Sequence, residues 1–288
     1  MELELKRGGR TARVETLGGE LVSYRDERGL EYIWGGDPAY WPGRNPLLFP
    51  IVGMLKEGKI RFDGREYAME RHGFARRREF TPAARGEDWV RLELRESAET
   101  LALYPYPFRL AVEQRLTDTG FSTAVTVANP GEGPLPFCLG AHTGFRCPLE
   151  AGERFEDYEL VFPERESCPT LLLRDGLLDR PAALPCLEDT DTLPLDYRWF
   201  DALDTLIFEG LRSRSVALRS RKSGRGVRVS FDGFPMLAFW TMPGKKAPYL
   251  CIEPWHGCAA GTAEGPEFTD KAHCIVLAPG ESRTACPT

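Results

Sequence analysis

The sequence predicts an all-β chain: a large antiparallel β-sandwich, two sheets packed face to face, with few short helices. Three observations carry that expectation. Gly (29) and Pro (23) are abundant and recur between short runs that alternate apolar and polar residues, the punctuation of strands and turns. No segment keeps an apolar stripe of period 3.6 over three turns, as a surface helix would. The chain of 288 residues also has no linker, low-complexity tract or fixed-period repeat, so residues 1–288 read as a single domain.

The elements follow in chain order. Met1-Glu2-Leu3-Glu4-Leu5-Lys6-Arg7 alternates charged and apolar residues and lacks the apolar core of a secretory signal, so the mature chain is expected to start here. The nearly apolar run 46–55 is interrupted by Pro50 and Gly53 and falls well short of the roughly 20 residues that span a bilayer. The clearest hairpin occupies residues 109–129. Leu110, Val112 and Leu116 share one face, Glu113 and Arg115 the other, and after the turn Thr117-Asp118-Thr119-Gly120 the period of two resumes with Phe121, Val125 and Val127. Residues 164–194, rich in Pro and acidic side chains, show little alternation and are expected to form a long surface excursion. Further strands are expected at 215–219 and 227–231, around Ser223-Gly224-Arg225-Gly226, and at 236–240, 249–253 and 273–277.

Composition bounds the function. A hydrophobic fraction of 42% with 28% charged residues supplies an ordinary core and excludes wholesale disorder. A net charge of −6 argues against nucleic acid as a partner. With neither a membrane span nor an export signal, a soluble cytoplasmic protein acting on a small molecule is expected, as monomer or weak homodimer. The eight cysteines include no C-x-x-C pair and are expected to be free thiols.

Chemistry concentrates in a few places. Of the four histidines, His72 stands in Arg71-His72-Gly73-Phe74-Ala75-Arg76 and His142 in Leu139-Gly140-Ala141-His142-Thr143-Gly144. Small neighbours let a ligand or another backbone approach each imidazole; the alternative is a core or turn histidine bonded to backbone. There is no His-x-His, no His-x-x-x-His and no cysteine at zinc spacing, so no metal is expected, and a zinc site would need ligands gathered from afar. In Tyr249-Leu250-Cys251-Ile252-Glu253-Pro254-Trp255 an acid interrupts an apolar strand, where it is costly unless used or paired. Burial beside an indole raises a carboxyl pKa toward neutrality and suits it to work as a base near pH 7. Asp204, at the mouth of the apolar run 205–208, is a similar acid.

These residues carry a resemblance. Asn45-Pro46-Leu47-Leu48-Phe49-Pro50-Ile51-Val52-Gly53, Lys59-Ile60-Arg61-Phe62-Asp63-Gly64-Arg65-Glu66-Tyr67, His72-Gly73-Phe74-Ala75-Arg76, Leu139-Gly140-Ala141-His142 and Cys251-Ile252-Glu253-Pro254-Trp255 together resemble the aldose 1-epimerase (galactose mutarotase-like) family. The resemblance runs over residues 32–281 and points to the subgroup associated with lactose and galactose genes. It implies a β-sandwich with an open sugar cleft, no cofactor, and interconversion of the α and β anomers of a free hexose. By the same resemblance Glu253 is the base that takes the proton of the anomeric hydroxyl and His142 the acid that protonates the ring oxygen. His72 is then a second histidine bonded to the sugar near that oxygen, and Asp204 holds sugar hydroxyls.

The sequence departs from the pattern at Met54, where many members have a sugar-contacting arginine. A thioether donates no hydrogen bond, and Arg44, Lys56 and Arg76 are the candidates to replace it. Ala141 and Thr143 also replace the more usual Gly and Pro beside His142. The run Arg76-Arg77-Arg78 suits a phosphate or is a solvated charge run, which opens a hexose 6-phosphate as alternative substrate. A non-catalytic carbohydrate-binding sandwich is the other alternative. Trp34, Trp41, Trp240 and Trp255 are candidates to stack on a pyranose, Trp255 first because Glu253 is its neighbour.

Overall fold

A computed structural model describes residues 1–286. Its largest sheet has ten strands, all paired antiparallel. From one edge it runs Gly226–Ser230, Ser215–Ser220, Tyr158–Arg174, Thr205–Glu209, Met236–Trp240, Tyr249–His256, Leu139–Ala141, Leu47–Leu48. Thr143–Arg146 also pairs with Tyr249–His256, and Leu177–Pro194 with Tyr158–Arg174. A five-stranded sheet, ordered Ser282–Ala285, Phe121–Ala128, Arg109–Leu116, Trp89–Arg95, Thr81–Arg85, and a three-stranded one built from Glu2–Arg7, Arg10–Glu15 and Glu20–Arg25 provide the other layer. The α-helices described are the short Ala98–Leu101 and Tyr197–Leu203. One apolar core joins the layers, from Leu3 to Leu277. The chain is thus the β-sandwich that its alternation predicted, and no helix among the described residues is long and apolar enough to cross a membrane.

The expected strands form with small shifts at their ends. The hairpin lies at Arg109–Leu116 and Phe121–Ala128, in register from Leu116 opposite Phe121 to Arg109 opposite Ala128. Residues 164–194, however, are not a surface excursion. They belong to a second hairpin, Tyr158–Arg174 with Leu177–Pro194, closed by Asp175 and Gly176 at φ 52° and 77°. Its register shifts repeatedly between Val161 and Leu173, and each irregularity resets which residues face inward, so alternation disappears from the sequence. The acidic residues that suggested solvent include Glu166, which is buried and accepts the backbone N–H groups of Arg212 and Ser213 at 3.0 and 2.7 Å. The hairpin tip docks where Leu178 exchanges backbone hydrogen bonds with Ala260 and Thr262, and Gly176 lies against Met54 and Arg71.

Candidate active site

Strand Tyr249–His256 runs through the middle of the large sheet and is buried along both faces as far as Trp255. Leu139–Ala141 and Thr143–Arg146 are two pieces of one antiparallel neighbour interrupted at His142. The register is the same on both sides of the break, with Gly140 opposite Trp255 and Thr143 opposite Ile252. His142 therefore falls across from Glu253, and its Nε2 lies 3.3 Å from Glu253 Oε1. On the other side Ala238 pairs with Glu253 and Trp240 with Cys251, so a methyl group leaves space at the carboxyl and an indole forms a wall beside it.

Electrostatics follow from burial. Glu253 is 1% and His142 8% exposed, and His142 Nδ1 and Glu253 Oε2 are buried without a hydrogen-bond partner. Loss of solvation lifts the Glu253 carboxyl well above the usual carboxylate range, helped by the negative charge of Asp204. Burial also lowers the pKa of His142 to about 3. Both shifts favour neutral groups, so the pair holds one proton between two heavy atoms in near contact.

His72 is brought in by a different device. His72 and Gly73 have φ of 67° and 71°, a left-handed step that folds segment 70–75 back on residues 49–53. A Cβ on Gly73 would sit 2.2 Å from the Phe49 carbonyl oxygen, and one on Gly53 2.5 Å from Ala259 Cα; glycine alone allows these approaches. The two segments are clipped by His72 N–H to Gly53 O at 2.9 Å and by Phe74 and Ala75 N–H to Phe49 O. Gly53 N–H donates to His72 Nδ1 at 3.1 Å, which leaves the proton of the neutral ring on Nε2, a donor. Burial, then His142, Arg76 and Arg71, hold the His72 pKa well below its ordinary value. Its ring meets that of His142 edge-on at 5.6 Å.

Trp41 lies over His142, centroids 4.9 Å apart, and meets Trp240 edge-on at 5.5 Å. The loop that carries it is pinned by Trp34 Nε1–H to the Trp41 carbonyl and by Trp34 N–H to Gly144 O, both at 2.8 Å. Half-buried Trp41 and Trp240 are the aromatic faces beside the pair. Trp255, expected to stack on a sugar, is instead 6% exposed within the main core, its ring against the position a Cβ of Gly140 would take; alternation puts it on the strand face of Glu253 but packing covers it.

Asp204 closes helix Tyr197–Leu203 at φ 62°, exposed and near enough to Glu253 to act on its carboxyl. Arg44 is not brought to the pair: its Nε donates to the Gly35 carbonyl at 3.1 Å and its Nη1 lies 3.6 Å from Glu15. The arginine run divides. Arg77 pairs with Glu70 and Arg78 with Glu99, while Arg76 donates to the Arg71 carbonyl at 2.8 Å and keeps a buried, unpartnered Nε. Sequence reasoning missed Arg71. Its Nη2 donates to Met54 Sδ at 2.8 Å, so a guanidinium from the neighbouring turn occupies the surroundings of Met54, and its charge reaches both histidines. Its place directly before His72 was the available signal.

The family model described as aldose 1-epimerase matches residues 1–286. Two relatives from Lactococcus lactis subsp. lactis, the plasmid and chromosomal forms of protein LacX, are 41% identical over 287 residues, covering 97% of this chain and 95% of theirs. A galactose mutarotase related enzyme from Lactobacillus acidophilus superposes with a TM-score of 0.94 at 28% identity, covering 99% of this chain and 95% of that one. A galactose mutarotase-like protein from Lactobacillus casei gives 0.90 at 27% identity, covering 100% and 99%.

Proposed function

The chain belongs to the aldose 1-epimerase family, and from that premise we propose that it interconverts the α and β anomers of a free hexose, with Glu253 and His142 as the proton-transferring pair. The observation that carries the reading is the 3.3 Å contact between His142 Nε2 and Glu253 Oε1 at the buried centre of the sheet. Ring opening needs one proton taken from the anomeric hydroxyl and one given to the ring oxygen, and a pair that shares a single proton does both. In the reactive tautomer Glu253 is carboxylate and His142 imidazolium. Glu253 accepts the O1 proton while His142 Nε2 donates to O5; the C1–O5 bond breaks and C1 becomes an aldehyde. The pair is then carboxylic acid and neutral imidazole, the two forms that burial favours.

Rotation about C1–C2 presents the other face of the aldehyde, and O5 attacks C1 as its proton returns to His142 and that of Glu253 to O1. The pair carries the same number of protons throughout, so no net charge enters the buried site. His72, with its proton on Nε2, donates a hydrogen bond toward the ring oxygen without competing as an acid. Trp41 supplies a stacking face, and Asp204 and Arg71 engage the remaining hydroxyls at the mouth.

Magnetisation-transfer NMR on glucose and galactose tests the proposal. Anomer exchange faster than the spontaneous rate, abolished by Glu253→Gln, is the expected result; equal acceleration by the variant overturns the assignment. A hexose 6-phosphate is the second reading, favoured by Arg71 and Arg76, whose charges both reach the two histidines. Arg76→Ala then removes turnover of glucose 6-phosphate and spares glucose. Binding of sugar by calorimetry without any acceleration identifies a carbohydrate-binding module instead.

A further inference from the structure

Cys251 has no part in the epimerase chemistry, yet it sits two residues before Glu253 on the same face of the strand. One ligand atom from each of His142, Cys251 and Glu253 lies within 4.8 Å of the others, and all three residues are buried. We infer that these three side chains form a binding site for a thiophilic divalent cation, of which Zn²⁺ is the representative, and that the bound ion switches the site off.

The geometry is close to that of a three-ligand zinc site. Zinc bonds of about 2.0–2.2 Å to nitrogen and oxygen at tetrahedral angles put those two atoms about 3.4 Å apart; His142 Nε2 and Glu253 Oε1 are 3.3 Å apart. A bond of about 2.3 Å to sulfur requires the Cys251 thiol to move by ~1 Å at most. The donor set, one imidazole, one sulfur and one carboxylate, selects zinc or cadmium over magnesium and calcium, which take oxygen ligands. Charge also balances. The thiol and carboxyl protons pass to the buffer, and a thiolate, a carboxylate and a neutral imidazole cancel the two positive charges, so a neutral unit fills a site hostile to net charge. Tetrahedral zinc with three protein ligands takes water as its fourth.

Coordination stands apart from the epimerase reading; only its consequence rests on it. The ion ties up the lone pairs that accept and return protons, so turnover stops while it is bound and resumes when a chelator removes it.

Equilibrium titration of the full chain with Zn²⁺ in a chelator-buffered solution is expected to show one tight ion per chain. Its affinity falls by at least about 100-fold in Cys251→Ser, above the 10–100-fold typical of residues behind the ligands, and similarly in Glu253→Gln. With Cd²⁺ in place of Zn²⁺, the ultraviolet thiolate-to-metal absorption of the intact protein loses one cysteine's share in Cys251→Ser. Mutarotation by the intact protein is inhibited by Zn²⁺ and restored by chelator, and Cys251→Ser keeps the rate while resisting the ion. Undiminished affinity and an unchanged cadmium absorption in Cys251→Ser overturn the inference, whether or not epimerisation is observed. Zinc held through Cys251 by a protein that accelerates no anomer exchange overturns the epimerase reading and leaves the metal site intact.

Discussion

The outer hairpin and the central strand of the large sheet are both antiparallel β structure, and they differ in how many faces meet water. In Arg109–Leu116 and Phe121–Ala128 inward residues are buried and most of those between them are partly exposed, so burial alternates with the sequence. In Tyr249–His256 every residue through Trp255 is buried. A strand covered on both sides reads as a continuous apolar run, and a charge within it stands out. The hairpin's side chains serve the fold; the central strand gives up stability to keep an acid and an imidazole dry. Variants in the two regions should therefore separate stability from turnover.

The largest effect is expected at the pair. His142→Asn removes the proton donor with little change of volume, and kcat for anomer exchange falls about 10²- to 10⁴-fold, the usual contribution of a positioned acid or base, while the thermal midpoint changes little. In the hairpin the outcome reverses. Leu110 is fully buried, and Leu110→Ala costs about 2–5 kcal/mol of stability in a urea titration, with kcat per folded molecule unchanged. If Leu110→Ala slowed exchange as much as His142→Asn, the division between the regions would fail.

Smaller effects sharpen it. Arg71→Ala takes the guanidinium from Met54 and is expected to raise the KM for free hexose about tenfold, roughly 1.4 kcal/mol, with kcat nearly constant. A kcat loss without a change in KM would move Arg71 from sugar binding to the reacting atoms. The pH profile follows from the pair. The single-proton state is competent, and His142 accepts a second proton only as pH falls toward the depressed value of about 3. The rate should stay flat within about twofold from pH 7 to 5, whereas an ordinary histidine with pKa ≈ 6.5 would produce an acid limb there. At high pH the rate falls when Glu253 finally loses its proton, above the usual carboxylate range. Arg77→Ala has the smallest effect. Its exposed pair with Glu70 is worth about 1 kcal/mol at most, and neither glucose nor glucose 6-phosphate turnover should respond.

The same contrast explains what could be read in advance. Alternation found the outer hairpin because solvent on one face imposes it. It failed for Tyr158–Arg174 and Leu177–Pro194, where register shifts scramble the inward positions and acids such as Glu166 are satisfied by backbone N–H groups. Glu253 was legible because a carboxylate in an apolar run has few explanations, and His72 because Gly73 betrays a close approach. Trp255 was misplaced as a stacking face since neighbourhood along a strand does not tell which side chain is covered. Arg71 was passed over because its reach to Met54 depends on the left-handed step at His72.

By itself the sequence determined the β architecture, the buried acid and the two histidines in glycine-rich settings, because these depend on local pattern and on the cost of burying charge. Tertiary structure alone decided that His142 lies across from Glu253, that Arg71 covers Met54, and that Cys251 joins the pair within 4.8 Å. Those relations depend on strand register and on segments far apart in the chain, and no spacing along a sequence records which strand will lie beside which.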